Sequence, residues 1–189
     1  MRLREGLRDD IILVLDGAYA EYMEQADYSD GRELVLTSNT VITRTFSKAY
    51  GLPALRIGWG YGPKHIIETM YKVRSPFNVN QGAITAALAA LADESFLEDS
   101  INKNRVQRER LVSESETLGL KAYESHGNFV LIEFADETTA SNANAHLMQN
   151  GIIPREVANY GLPKCLRVTV GTEDENTQLL ASLSEFINA

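Results

Sequence analysis

The segment at positions 45–56 brings three kinds of reactive side chain close together in sequence. It reads TFSKAYGL at positions 45–52, and Arg56 follows Lys48 by eight positions. A hydroxyl, an amine and a guanidinium on one loop can hold a phosphate and present a nucleophilic amine. Because serine–lysine pairs are also common on ordinary surfaces, this pair indicates a site only in combination with other signals.

Two more candidate clusters lie after or inside apolar runs of strand length. Asp16 and Tyr19 follow the run Ile11–Leu15, and Arg167 lies inside the run Leu166–Val170. An aspartate after a strand often forms a turn. An arginine inside an apolar strand is costly unless it pairs, either in an internal salt bridge or with a bound carboxylate or phosphate. Each cluster therefore has a structural as well as a functional interpretation.

Strands and helices alternate around these clusters, which indicates an α/β fold. We predict a helix tail up to position 10, strands at 11–15, 40–44, 55–60, 128–134, near 152 and at 166–170, and helices at about 63–73, 81–92, 95–118, 138–150 and after 172. Thr172 and Glu175 form a capping-box pattern for the last helix. The run Ile11–Leu15 is continuously apolar, so we expect that strand to be buried on both faces. The clusters would lie at strand ends, where α/β sheets bind ligands.

The composition is that of a soluble globular protein and argues against several functional classes. Of the 189 residues, 44% are hydrophobic and 23% are charged, and the formal net charge is -8. This acidic balance argues against nucleic-acid binding, and no apolar stretch is long enough to cross a membrane. The single cysteine, Cys165, fits a cytoplasmic protein without disulfides. The histidines lack the spacing of metal ligands, so we expect no metal site.

Taken in order, the clusters resemble one protein family. The motifs are DxAY at 16–19, TFSKAYGLxxLRxG at 45–58, RSPFNVN at 74–80 and LRVTVG at 166–171. They are similar to those of the fold-type I, class I/II aminotransferases, which use pyridoxal 5′-phosphate (PLP), and within that group to the histidinol-phosphate aminotransferases. The resemblance implies the latter part of a large PLP-binding domain at 1–101 and a small C-terminal α/β domain at 102–189.

The resemblance also assigns roles to individual residues. Lys48 would bind PLP as a Schiff base and move a proton during catalysis, with the cofactor acting as the electron sink. Asp16 would pair with the pyridine nitrogen, and Tyr19 would hydrogen-bond the phenolic oxygen. The cofactor phosphate would be held by Thr45, Ser47 and Arg56.

By the same resemblance, Arg155 and Arg167 would bind the anionic group of the substrate. Two arginines suit a dianion such as the phosphate of histidinol phosphate, and they could also take a carboxylate of glutamate or 2-oxoglutarate. The implied reaction is transamination between histidinol phosphate and 2-oxoglutarate in histidine biosynthesis. The family forms homodimers, so we expect a homodimer.

The chain departs from the family pattern in two places. Gly17 stands where the family usually has glutamate after the aspartate. The family's N-terminal portion, which completes the cofactor pocket, has no counterpart, so we expect an incomplete portion of the enzyme that binds PLP weakly and turns over poorly by itself. Alternatives are an aromatic amino-acid aminotransferase, a threonine-phosphate decarboxylase of the same fold, or a non-catalytic remnant that serves as an oligomerisation module.

Overall fold

The computed structural model describes residues 2–189, and Met1, at the start of the predicted helix tail, lies outside the described residues. The chain divides into two compact units, Met1–Ser100 and Ile101–Ala189. The assignment of these units to the large and small domains of a whole enzyme stays a prediction. No helix among the described residues is long and apolar enough to cross a membrane.

The first unit is built on a three-stranded sheet. Its strands are β1 (Leu13–Asp16), β2 (Thr40–Thr45) and β3 (Gly58–Tyr61), in the order β1-β2-β3. β1 and β2 are parallel, whereas β2 and β3 are antiparallel. The register places Asp16 opposite Thr43, so the residues that follow β1 lie beside the end of β2.

The first unit also contains several helical segments. They are α1 (Arg2–Glu5), a 3-10 turn (Ala20–Tyr22), α2 (Arg32–Val35), a second 3-10 turn (Pro53–Leu55), α3 (Lys64–Val73) and α4 (Gln81–Ala92). The long helix α5 (Glu94–Thr117) begins in the first unit and ends in the second. The Asn80 side chain caps α4 by accepting a hydrogen bond from the Ala83 amide at 2.8 Å.

The expectation that the first strand is buried on both faces is wrong for the described chain. Ile12 is 53% exposed and Val14 is 57% exposed, while Leu13 and Leu15 are partly buried. The helix α4 also has an exposed apolar side chain, since Leu88 is 63% exposed. The continuous apolar run identified a strand, but within residues 2–189 nothing covers its second face.

The second unit contains a four-stranded antiparallel sheet. Its strands are β4 (Lys121–Tyr123), β5 (Phe129–Glu133), β6 (Arg155–Glu156) and β7 (Cys165–Thr169), in the order β4-β5-β7-β6. Helices α6 (Glu137–Gln149) and α7 (Glu173–Ile187) contribute to one buried core. Its central members are Leu111, Val130, Ile132, Ala143, Leu147, Leu166, Val168, Leu179 and Leu183.

Two local predictions in this unit have different outcomes. The capping box of α7 is confirmed, because Thr172 Oγ1 accepts from the Glu175 amide and Glu175 accepts from the Thr172 amide at 2.8 Å. The short strand predicted near Ile152 is instead β6. The Ile152 amide bonds back to the Leu147 carbonyl at 2.9 Å, so residue 152 lies in the turn that caps the C-terminal end of α6.

Candidate active site

The Asp16 carboxylate lies at the carboxyl end of β1 and is held in place through one of its two oxygens. Oδ1 accepts hydrogen bonds from the Ala18 amide at 3.1 Å and from Thr43 Oγ1 at 3.4 Å. Oδ2 accepts none from the described residues. The carboxylate is therefore oriented by its neighbours and still has one oxygen available to a donor from outside the chain.

Lys48 lies on a compact loop that directly follows β2. The loop is closed by the Leu52 amide, which donates to the Phe46 carbonyl at 2.9 Å, and by the Gly51 amide, which donates to the Lys48 carbonyl at 2.9 Å. Gly51 has φ 69°, in the left-handed region that favours glycine. Lys48 Nζ lies 5.3 Å from the centroid of the Tyr19 ring. The strand ends thus bring the lysine and the tyrosine together.

Among residues 2–189, no carboxylate lies within ion-pair distance of Lys48 Nζ. Lysines are almost never fully buried unless they pair with an acid. An amine that lacks such a partner and is only partly buried is available to react with a carbonyl compound.

Arg56 has an unusual backbone conformation beside this loop. Its φ of 50° and ψ of 51° place it in the left-handed region, which costs an L-residue about 1–2 kcal/mol. Its Nη1 donates to Ser47 Oγ at 3.1 Å and to the Pro53 carbonyl at 2.8 Å. Strain of this kind is typical of functional sites, where surrounding contacts hold the residue in place.

The Arg56 guanidinium makes no ion pair with a carboxylate in the described part of the chain. Ser47 is itself held by its amide, which donates to Thr45 Oγ1 at 3.1 Å. The three predicted phosphate ligands, Thr45, Ser47 and Arg56, therefore form one hydrogen-bonded group with an uncompensated positive charge. Such a group can bind an anion.

Arg155 and Arg167 lie opposite each other on the adjacent strands β6 and β7 of the second unit. The register of β6 and β7 pairs these residues directly, and like charges in that position repel. The Arg167 guanidinium lies over the Phe129 ring at 5.0 Å, and Arg155 donates to the Tyr160 hydroxyl at 2.9 Å. These contacts hold the two cations in place without neutralising them.

The internal salt bridge considered for Arg167 is absent from the described residues, where neither Arg155 nor Arg167 pairs with an acid. Arg167 Nε is buried and has no hydrogen-bond partner there. A buried donor on a charged group is expensive to leave unpaired. A bound carboxylate or phosphate would satisfy this donor and relieve the repulsion between the arginines.

A buried charge network that the sequence did not predict lies next to the candidate site. Arg44, in β2, pairs with Glu21 at 3.3 Å and with Asp30 at 2.9 Å. Burial raises the pKa of Glu21, and the nearby Arg44 partly opposes that effect. A charged residue inside the predicted strand 40–44 was the available signal, but its partners are distant in sequence.

Gly17, the position where the chain departs from the family pattern, lies against this network. A Cβ atom at Gly17 would lie 2.9 Å from Arg44 Nε and 3.0 Å from the Thr43 carbonyl oxygen. Contacts this close require a neighbour to move. Because Gly17 has no side chain, the Arg44 side chain can pack against the segment that carries Asp16 and Tyr19.

A strand-end aspartate, a loop lysine and an arginine group without an acidic partner in the described residues indicate an enzyme that binds an anionic, carbonyl-bearing cofactor. The model of the family described as aminotransferase class I and II matches residues 5–183, and the chain belongs to this family. The family expected from the sequence motifs is thereby confirmed.

Named relatives agree with this result. The histidinol-phosphate aminotransferase of Rhodospirillum rubrum is 51% identical over 190 residues, which cover 99% of this chain and 51% of the relative. That of Jannaschia sp. (strain CCS1) is 46% identical over 189 residues, which cover 100% of this chain and 52% of the relative. The chain spans about half the length of the curated relatives that it matches.

A solved structure has the same fold. The crystal structure of histidinol-phosphate aminotransferase from Sinorhizobium meliloti, in complex with pyridoxal-5′-phosphate, has a TM-score of 0.91 and 31% sequence identity. The match covers 99% of this chain and 52% of that one. The predicted α/β class of the aminotransferases is therefore confirmed.

Proposed function

We propose that this chain is the lysine-bearing part of a PLP-dependent aminotransferase that moves an amino group between histidinol phosphate and 2-oxoglutarate. The observation that carries the proposal is the position of the Lys48 amine. It has no acidic partner among the described residues, lies 5.3 Å from the Tyr19 ring, and follows β2, in which the Thr43 hydroxyl donates to Asp16. The names of the relatives at 46% and 51% identity support the substrate.

The residues of the first unit fit PLP on three grounds. Lys48 supplies an amine for the aldehyde, Asp16 Oδ2 is an acceptor without a donor in the described chain, and Arg56 with Ser47 forms an uncompensated cationic group for the phosphate. When bound, PLP withdraws electrons from the substrate carbon that loses its proton.

The chain's own residues would then divide the remaining work. Asp16 would keep a proton on the ring nitrogen, and a carboxylate oriented by two hydrogen bonds suits that task. Tyr19 would hydrogen-bond the phenolic oxygen beside the lysine. Lys48 Nζ would take the proton from the substrate Cα and deliver it to carbon C4′ of the cofactor.

The arginine pair in the second unit would bind the substrate anion. Arg155 and Arg167 are directly opposite in register, and Arg167 Nε is a buried donor without a partner in the described residues. A phosphate dianion can accept from both guanidinium groups at once, and a carboxylate of glutamate or 2-oxoglutarate can use the same donors.

The remaining expectations belong to the same proposal. The unit at residues 101–189 would serve as the small C-terminal domain, and the intact enzyme would be a cytoplasmic homodimer. A second candidate, an oligomerisation module without catalysis, is favoured by the apolar side chains that the described chain leaves uncovered. Val14, Leu88 and the 99% exposed Phe77 are examples.

An absorbance spectrum of the purified chain with added PLP tests the proposal. We expect a band near the visible edge that is lost in Lys48→Ala and kept in Lys64→Ala, because Lys64 is an exposed helix residue paired with Glu68. A band that survives in Lys48→Ala, or no band in the wild-type chain, would contradict cofactor binding at this lysine. The second result would favour the oligomerisation module.

A further inference from the structure

Arg44 is held between two carboxylates on the side of the sheet opposite the candidate site. Its Nη1 lies 3.3 Å from Glu21 Oε1, and its Nη2 lies 2.9 Å from Asp30 Oδ2. The three side chains are only 11%, 13% and 16% exposed, respectively. Because strand residues alternate between faces, Arg44 points away from the face that Thr43 and Thr45 share.

The network of Arg44, Glu21 and Asp30 is not expected to add much to the stability of the fold. Glu21 Oε2 and Arg44 Nε are buried without a hydrogen-bond partner in the described residues. Burial is the largest influence on the Glu21 carboxyl and raises its pKa, which means that the charged form is penalised. Buried ion networks rarely stabilise a fold more than apolar side chains of similar size would, although they can fix a single geometry.

The network touches the segment 16–22 near both of its ends. At one end, Gly17 lies so close that a Cβ there would be 2.9 Å from Arg44 Nε, and the Gly17 amide donates to the Thr43 carbonyl at 2.9 Å. At the other end, Glu21 lies two positions beyond Tyr19, in the turn Ala20–Tyr22. The segment between these contacts carries both Asp16 and Tyr19.

We propose that Arg44 is a positioning residue, which uses Glu21 and the space left by Gly17 to fix segment 16–22 on β2. Arg44 also lies four positions before Lys48 in the same strand and loop. It therefore ties the segment with Asp16 and Tyr19 to the one with the reactive amine. Errors of about 1 Å between such groups are costly to catalysis. The inference rests on the proposed function, because the placement of Asp16 and Tyr19 relative to Lys48 matters only if these residues bind the cofactor.

Hydrogen–deuterium exchange of the chain without cofactor tests the geometry independently of PLP. Arg44→Lys keeps the charge but loses the planar fork that reaches two carboxylates, and Gly17→Ala adds the Cβ that Arg44 excludes. Gly60→Ala is the matched control, because its Cβ would meet only the Ile42 carbonyl oxygen at an ordinary 3.7 Å.

We expect peptides covering 16–22 to exchange about tenfold faster or more in Arg44→Lys and Gly17→Ala, since tenfold corresponds to only about 1.4 kcal/mol of opening free energy. Peptides from residues 11–15 and from residues 101–189 should keep wild-type rates, as should every peptide of Gly60→Ala. Unchanged exchange of 16–22 in both variants would overturn the inference. An equal acceleration across β1 and β2 would also overturn it, because Arg44 would then be a general stabilising residue.

The second arm follows the lysine-dependent PLP band as the pH is varied. In Arg44→Lys and Gly17→Ala we expect the pH at which this band is half-titrated to shift by about half a pH unit or more, because the groups around Lys48 have moved. An unchanged midpoint in both variants would count against positioning. If the wild-type chain shows no band, the proposed function fails, and the exchange rates alone decide whether Arg44 fixes the segment.

Discussion

Replacing Arg56 with glycine and with alanine separates the backbone strain at this position from the role of its guanidinium. Arg56 has φ 50° and ψ 51°, a conformation that costs a residue with a Cβ about 1–2 kcal/mol and costs glycine almost nothing. Both variants lose the same hydrogen bonds to Ser47 and Pro53. The difference in stability between them therefore reports the backbone alone.

The magnitude follows from two opposing contributions. Glycine avoids about 1–2 kcal/mol of left-handed strain, but its greater freedom in the unfolded chain subtracts about 0.4–1 kcal/mol. We expect Arg56→Gly to be more stable than Arg56→Ala by about 0.8 kcal/mol, within a range of about 0–1.6 kcal/mol, in urea denaturation followed by circular dichroism.

Cofactor binding should respond in a different way to the same pair of variants. Each hydrogen bond from a charged group contributes about 1.5–3 kcal/mol, so both variants should bind PLP about 10- to 100-fold more weakly in a spectral titration. An Arg56→Ala variant more stable than Arg56→Gly by about 0.4–1 kcal/mol, as expected at an unstrained position, would refute the claim of backbone strain. Wild-type affinity in either variant would refute the claim that Arg56 holds the phosphate.

Three further changes test the burial of Tyr22, the anion site at Arg167 and the core around Leu183. Burial raises the pKa of Tyr22 from 10.0 to about 12, so its proton favours the folded state fully below pH 10, and that contribution disappears as the pH rises toward 12; in alkaline denaturation, Tyr22→Phe should lose less stability over this range than the wild type, and equal losses would contradict the burial effect. Arg167→Lys should weaken the binding of histidinol phosphate, measured by calorimetry, about tenfold, because lysine lacks the planar fork; wild-type affinity would remove Arg167 from the anion site. Leu183→Ala, at a side chain only 1% exposed, should cost about 2–5 kcal/mol of unfolding free energy. The 63% exposed Leu88, changed to alanine, should cost no more than about 0.5 kcal/mol, and similar losses at the two positions would contradict the described core.

The features that could be predicted from sequence are those that neighbouring residues determine. The capping box of α7 needs only Thr172 and Glu175, three positions apart, and it forms as the pattern predicts. The strand at β2 was predicted at 40–44 and spans Thr40–Thr45. The motif around Lys48 identified the family because its order of residues is specific, independently of any three-dimensional contact.

The features that escaped prediction depend on contacts between distant residues. Arg44 meets Glu21 and Asp30 only because the chain returns to β2 after 14 or more residues. The left-handed backbone of Arg56 has no sequence signal, because arginine gives no indication of a positive φ. The open face of β1 was missed for a related reason, since an apolar run does not specify which neighbours are present to cover it.

The most direct test of the central claim locates the cofactor on the chain by mass spectrometry. The chain is mixed with PLP, reduced with borohydride so that the cofactor stays on the amine it has bound, and digested into peptides. We expect one modified peptide, with the added mass on Lys48, and unchanged labelling in Lys64→Ala. Labelling spread over exposed lysines, with no excess on Lys48, would contradict the claim that this chain holds the cofactor at a built site.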